Sequence, residues 1–130
     1  MGSRDEATAS LRIYIAGPYG AATHEERERN VRRAIDVGII LLRKGHIPFI
    51  PHLTHYVDLR ATEIKELLTW HDYIKWDLGW LAVSDALLFL GSSPGADIEY
   101  EQAKVSGKII FHSLDEIPLV RGKDVYRGTT

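Results

Sequence analysis

The residues best suited to covalent chemistry are acidic and lie on two short stretches. Between Pro94 and Ser106 the chain carries Asp97, Glu99 and Glu101. Ser93-Pro94 opens a helix there, with serine as N-cap and proline at the first helical position. At about 100° per residue, Asp97, Glu101 and Lys104 share one polar stripe that faces water. Glu99 points the opposite way, among Ala96, Ala103 and Ser106. A lone carboxylate among small residues is poorly explained as surface decoration. It is either a reactive acid or an inward glutamate satisfied by a backbone or arginine partner. Asp77 is the second candidate, one turn from Ile74, Trp80 and Leu81 and so bordering the apolar face of its helix. Burial there would raise its pKa and make it a proton donor near neutral pH; the plainer alternative is a helix-surface aspartate near Lys75. Two acids at one rim suit glycosyl chemistry, in which one attacks the anomeric carbon and the other protonates the leaving group.

Around these acids lie groups that could hold a ligand. Ser92-Ser93-Pro94-Gly95 supplies hydroxyls and free N–H groups at a helix N-terminus, an anion site or simply a helix cap. Gly17-Pro18-Tyr19-Gly20 lets backbone approach a ligand closely, as many turns do, and lacks the lysine-serine/threonine ending of a P-loop. His52 and His55 are spaced to bring two imidazoles together. No third histidine or acidic motif follows, so a structural or substrate-lining role is favoured over a metal site. Asp85, at a helix-to-strand junction, reads as a capping or turn residue. Trp70, Trp76 and Trp80 read as core and interface aromatics. Arg27, Arg29, Arg32 and Arg33 read as a solvated face from which one side chain could reach a phosphate.

The elements that position these residues alternate between strands and helices. Leu11 to Ala16 is a β-rich run ended by the Gly17 turn. Thr23 with Glu26 signals a helix start, Val31, Ile35, Ile39 and Leu42 recur at helical spacing, and Gly45 supplies the stop. Ile47 to Ile50 reads as a strand and His52 to Thr62 as a loop over a pocket. A helical pattern follows from about Glu63 to Ser84, with a break near Trp70 to Tyr73. Ala86 to Leu90 is a continuous apolar run, as expected of a central parallel strand. After the helix of Glu99, Gly107 is a stop and Lys108 to Phe111 the next strand. This order predicts an α/β fold, a single flavodoxin/Rossmann-like domain with a parallel sheet and helices on both faces. In such sheets ligands bind beyond the carboxyl ends of the strands, which brings Gly17 to Gly20 and Gly91 to Gly95 to one rim. Residues 1–10 read as a flexible N-terminal arm and 11–130 as the working domain.

Composition narrows the function. The chain has 130 residues, 45% hydrophobic and 26% charged, the size and make-up of one globular domain. Its net charge of -2 offers no basic field for a nucleic-acid polymer, though a small anion needs only a local site. The absence of cysteine excludes disulfides, thiolate metal ligands and a cysteine nucleophile. No apolar run approaches the roughly 20 residues of a membrane span, and the polar opening lacks a signal-peptide core, so a cytoplasmic protein is expected.

Taken together, the pieces resemble the nucleoside 2-deoxyribosyltransferase superfamily. The resemblance rests on Ile13 to Gly17, on Trp76-Asp77-Leu78-Gly79-Trp80-Leu81-Ala82-Val83-Ser84-Asp85, and on Ser93-Pro94-Gly95-Ala96-Asp97-Ile98-Glu99 with Ala103 and Gly107-Lys108. It spans residues 11–112, and the order of the set is more specific than any one piece. It implies Glu99 as the nucleophile that attacks C1′, Tyr14 as the tyrosine orienting that carboxylate, and Asp77 as the acid that assists departure of the base. It also implies a homodimer or larger homo-oligomer, and no cofactor. Classical transferases of the superfamily carry an aspartate six residues before the nucleophile, where this chain has Ser93. Relatives that hydrolyse nucleoside 5′-monophosphates have serine there, against the phosphate. The resemblance thus points to cleavage of the N-glycosidic bond of a nucleotide or nucleoside, with water or a second base as acceptor. The competing readings are an NAD-type nucleosidase and a non-catalytic nucleotide-binding module, which would have no need of Tyr14, Asp77 and Glu99 together. A response regulator is disfavoured, because Gly17-Pro18 stands where its acidic pair would follow the first strand.

Overall fold

A computed structural model describes residues 6, 7 and 9–120. In chain order the elements are β1 (Glu6–Ala7), β2 (Arg12–Ala16), α1 (His24–Arg43), β3 (Ile47–Phe49), a 3-10 turn (Pro51–Leu53), α2 (Thr54–Glu63), α3 (Trp70–Ala82), β4 (Ala86–Phe89), α4 (Pro94–Val105), β5 (Ile109–Phe111), a second 3-10 turn (Leu114–Glu116) and β6 (Leu119–Val120). The main sheet has four strands in the order β3-β2-β4-β5, every pair parallel. Its register sets Tyr14 beside Phe49 on one side and Leu87 on the other. Pro48 lies in an edge strand, where its missing N–H costs no central ladder bond.

The alternation of β2 builds two separate cores, since successive strand residues project to opposite faces. Ile13, Ile15, Ala86 and Leu88 cluster with Ala34, Val37 and Leu41 of α1. Tyr14, Ala16 and Leu87 cluster with Leu81 of α3 and with Ala96 and Ala103 of α4. The strand order runs outward in both directions from β2, so the switch in direction falls between β2 and β4, where doubly wound sheets open their ligand crevice. The turns after these strands meet there: a Cβ on Gly17 would lie 2.9 Å from Leu90 Cβ, and only glycine permits that approach.

Several expectations are corrected. Glu6–Ala7 pairs in parallel with Leu119–Val120, so part of the segment read as a flexible arm is strand; residues 1–5, 8 and 121–130 lie outside the described residues. The segment read as a loop over the pocket is a 3-10 turn and a ten-residue helix. Its only buried helical residues are His55 and Ala61, while Tyr56, Val57 and Leu59 are exposed, so it has no apolar periodicity. The helix expected from Glu63 starts at Trp70, because Lys65 turns the chain at φ 59° and Thr69 with Asp72 forms a capping box. In α1 the buried stripe is Val31, Ala34, Val37, Gly38 and Leu41, whereas Ile39 and Leu42 face outward. Trp70, Trp76 and Trp80 are 51%, 40% and 50% exposed, which removes them from the core. Strand β3 ends at Phe49, one residue short of expectation. Gly45 and Gly107 do stop their helices, with φ of 93° and 73°.

Candidate active site

A cavity of about 460 Å³ opens beyond the carboxyl ends of β2, β3 and β4. Gly17, Tyr19 and Gly20 line it from the turn after β2; Pro51, His52, Thr54 and Asp58 from the segment after β3; Ser93 to Ala96 and Glu99 from α4. The remaining wall is a stripe of α3, Trp70, Tyr73, Ile74 and Asp77. Their spacing of i, i+3, i+4 and i+7 is that of one helical face, a signal present in the sequence but unread there apart from Asp77.

Glu99 is 5% exposed, on the same helix as Ala96 and Ala103, which pack against the sheet. Tyr14, wholly buried in the central strand, donates its hydroxyl to Glu99 Oε2 at 2.6 Å. The partner of the inward glutamate is therefore a phenol, not an arginine or the backbone. Burial pushes Glu99 up to about 8; the nearby charge of Asp77 adds to the rise and the Tyr14 bond opposes it. Burial, then the charges of Glu99 and Asp77, holds Tyr14 far above the phenol range, so it remains a proton donor to the carboxylate. Asp77 is buried on the cavity side of α3, not on the surface beside Lys75, and burial raises it to about 7. Its Oδ1 is enclosed without a hydrogen-bond partner among the described residues. A buried polar atom lacking a partner costs about 1–3 kcal/mol, which a ligand offering a complementary group would relieve.

Of the Ser92 to Gly95 stretch expected to hold an anion, only part faces the cavity. Ser93 caps α4 by accepting from the Ala96 N–H at 3.1 Å, which leaves its own hydroxyl hydrogen for the cavity. Gly95 lines the cavity beside it. Ser92 instead turns outward, its hydroxyl 2.9 Å from both carboxylate oxygens of Asp97. Pro18 packs against Gly91 and does not line the cavity. Ser92 and Pro18, expected among the substrate-binding residues, thus lie outside the cavity lining.

The two histidines separate. His52 lies 3.1 Å from the Gly17 carbonyl through Nε2, pinning the turn after β2, and burial lowers its pKa. His55 is clasped between the Tyr19 hydroxyl and Glu28. Among the described residues no group of three His, Cys, Asp or Glu side chains could hold a metal ion. Arg27 and Arg33 donate to the carbonyls of Ala21 and Leu90 at the rim. Asp85 accepts from the Arg12 N–H at 2.8 Å, a junction-stabilising role as its position implied.

The fold and site together define an α/β protein with an all-parallel sheet and a cavity lined by two buried acids. Compared with protein-family models and with curated proteins, the chain matches none.

Proposed function

We propose that the protein cleaves the N-glycosidic bond of a nucleoside 5′-monophosphate or nucleoside through a covalent glycosyl ester on Glu99. The observation that carries this reading is the pairing of Glu99, buried and hydrogen-bonded by Tyr14, with an unpartnered Asp77 in one cavity. In the first step a Glu99 carboxylate oxygen bonds to C1′ as the C1′–N bond breaks. The bonding electrons leave with the base, which takes the proton of Asp77. In the second, water bonds to C1′, the ester C1′–O bond breaks to restore the Glu99 carboxylate, and the water proton returns to Asp77. A second nucleobase in place of water gives transfer instead of hydrolysis.

This sequence needs one proton in the pair, held by Asp77. With burial raising both Glu99, to about 8, and Asp77, to about 7, the pair keeps a proton at neutral pH. The Tyr14 hydrogen bond favours ionised Glu99, and a nucleobase nitrogen accepting from Asp77 draws the proton to that side. Ser93 at the start of α4 supports a phosphate-bearing substrate, because its hydroxyl and the helix N-terminus both favour an anion. The reading carries an expectation of a homo-oligomer, for which the exposed Trp76, Trp80 and Val83 side of α3 is suited; the mass in solution tests it.

The deciding experiment is a chromatographic product assay on nucleoside 5′-monophosphates, nucleosides and NAD, each with and without a different free base. Free base and sugar phosphate from monophosphates alone support hydrolysis with Ser93 at the phosphate. A new nucleotide formed only with added base makes the enzyme a transferase. Bound nucleotide with no product under any condition refutes turnover.

A further inference from the structure

One wall of the same cavity has its hydroxyl hydrogens engaged by neighbouring protein acceptors. Tyr73 precedes Asp77 by one turn of α3, and its hydroxyl donates to Asp58 Oδ1 at 2.7 Å. The Thr54 hydroxyl donates to the Pro51 carbonyl at 2.8 Å. The Tyr19 hydroxyl lies 2.7 Å from His55 Nδ1, and His55 Nε2 lies 2.6 Å from Glu28 Oε2. A carboxylate only accepts, so Glu28 keeps a ring hydrogen on Nε2, and in that tautomer Nδ1 accepts the Tyr19 hydrogen. His55 is 3% exposed, and Asn30 holds the Tyr19 carbonyl at 3.1 Å, so the arrangement is fixed from α1 and α2 together. Burial, then the charge of Asp58, keeps Tyr19 above the ordinary phenol range. His52 adds another acceptor: with its Nε2 hydrogen on Gly17, its buried Nδ1 has no partner among the described residues.

We infer that this wall selects a nucleobase carrying an exocyclic amino group. The inference rests on the glycosidic reading, in which the base lies along α3 with a ring nitrogen at Asp77. An amino group brings two N–H donors to one point, where the oxygens of Tyr19 and Tyr73 and the second oxygen of Asp58 offer only lone pairs. A carbonyl at the same ring position sets a lone pair against them and leaves the acceptors unpaired. Sites that hydrogen-bond a substrate group discriminate strongly against an analogue lacking it.

The test measures binding on Glu99→Gln protein, by titration calorimetry with matched 2′-deoxynucleoside 5′-monophosphates. The cytosine and uracil pair and the adenine and hypoxanthine pair each exchange an amino group for a carbonyl. The amino member of at least one pair is expected to bind about tenfold or more tightly. Asp58→Asn keeps an acceptor for Tyr73 while presenting an amide donor to the ligand, and is expected to flatten or reverse that ratio. Binding of all four with no preference overturns the inference and leaves the glycosidic reading standing, as does a ratio unchanged in Asp58→Asn. If ribonucleotides separate from deoxynucleotides with no separation by base, the donor is a sugar hydroxyl and the inference is again overturned. If no nucleotide binds, the glycosidic reading fails and the inference fails with it.

Discussion

Replacing Glu99 with glutamine should make the protein more stable at alkaline pH while removing turnover. Burial lifts Glu99 from 4.5 to about 8, and at about 1.36 kcal/mol per tenfold change in acidity the full linkage is roughly 5 kcal/mol. The sign follows from which state holds the proton more tightly. A carboxyl whose folded pKa is raised stabilises the fold at low pH and loses that contribution as pH climbs from the unfolded to the folded value. Between pH 5 and pH 9 the wild-type protein should lose roughly 4 kcal/mol on this account, as an upper limit because the cavity is open to water. Glutamine has nothing to ionise; its amide still accepts from Tyr14, and an unpartnered N–H costs about 1–3 kcal/mol at every pH. The variant should therefore melt below wild type at pH 5 and above it at pH 9. At roughly 4 °C per kcal/mol for a domain of this size, the difference in Tm should swing by about 15 °C at most. Circular-dichroism melts of both proteins from pH 5 to pH 9 measure it. A Tm difference constant across that range would refute the claim that Glu99 ionises against a burial cost, and retained turnover would refute its role as nucleophile.

The kcat/KM of the proposed reaction should follow a bell near neutral pH, because it needs one of the pair ionised and the other protonated. It rises through about 7 and falls through about 8, and a sigmoid without a falling limb would argue against Asp77 as proton donor. Tyr14→Phe removes the bond that lowers the Glu99 pKa, so kcat/KM should fall and the bell should shift to higher pH on its falling side; an unmoved profile would reduce Tyr14 to packing. Ser93→Ala should weaken binding of monophosphates more than nucleosides, by about 1–3 kcal/mol if a hydrogen bond to a charged group is lost. It should also cost about 1 kcal/mol of stability as a lost helix cap. Equal losses for both substrate types would remove the phosphate assignment.

The central strands, the helix of Glu99 and the inward direction of that side chain are legible in sequence because local rules fix them. Helical angle alone separates Glu99 from Asp97 and Glu101, and glycine at positive φ ends α1 and α4 where the pattern stops. Helix α2 escapes because it buries a histidine and an alanine while exposing larger apolar residues, so tertiary contacts and not periodicity hold it. The start of α3 was available in Thr69-Trp70-His71-Asp72, whose capping box is a local signal. The chain Tyr19–His55–Glu28 joins three segments with no spacing rule between them, and only the fold brings them together.

The alternation of β2 also bears on how the chain finds its strand register. Sliding β2 by one residue would turn Ile13 and Ile15 towards α3 and α4 and carry Tyr14 into the apolar core under α1. The phenol would then be buried without an acceptor, and Glu99 would face an aliphatic side chain that cannot donate. Both faults are absent in the native pairing with β3 and β4. The acid proposed as the nucleophile thus also penalises a slipped centre of the sheet, and an uncharged aliphatic replacement at position 99 would relax that penalty.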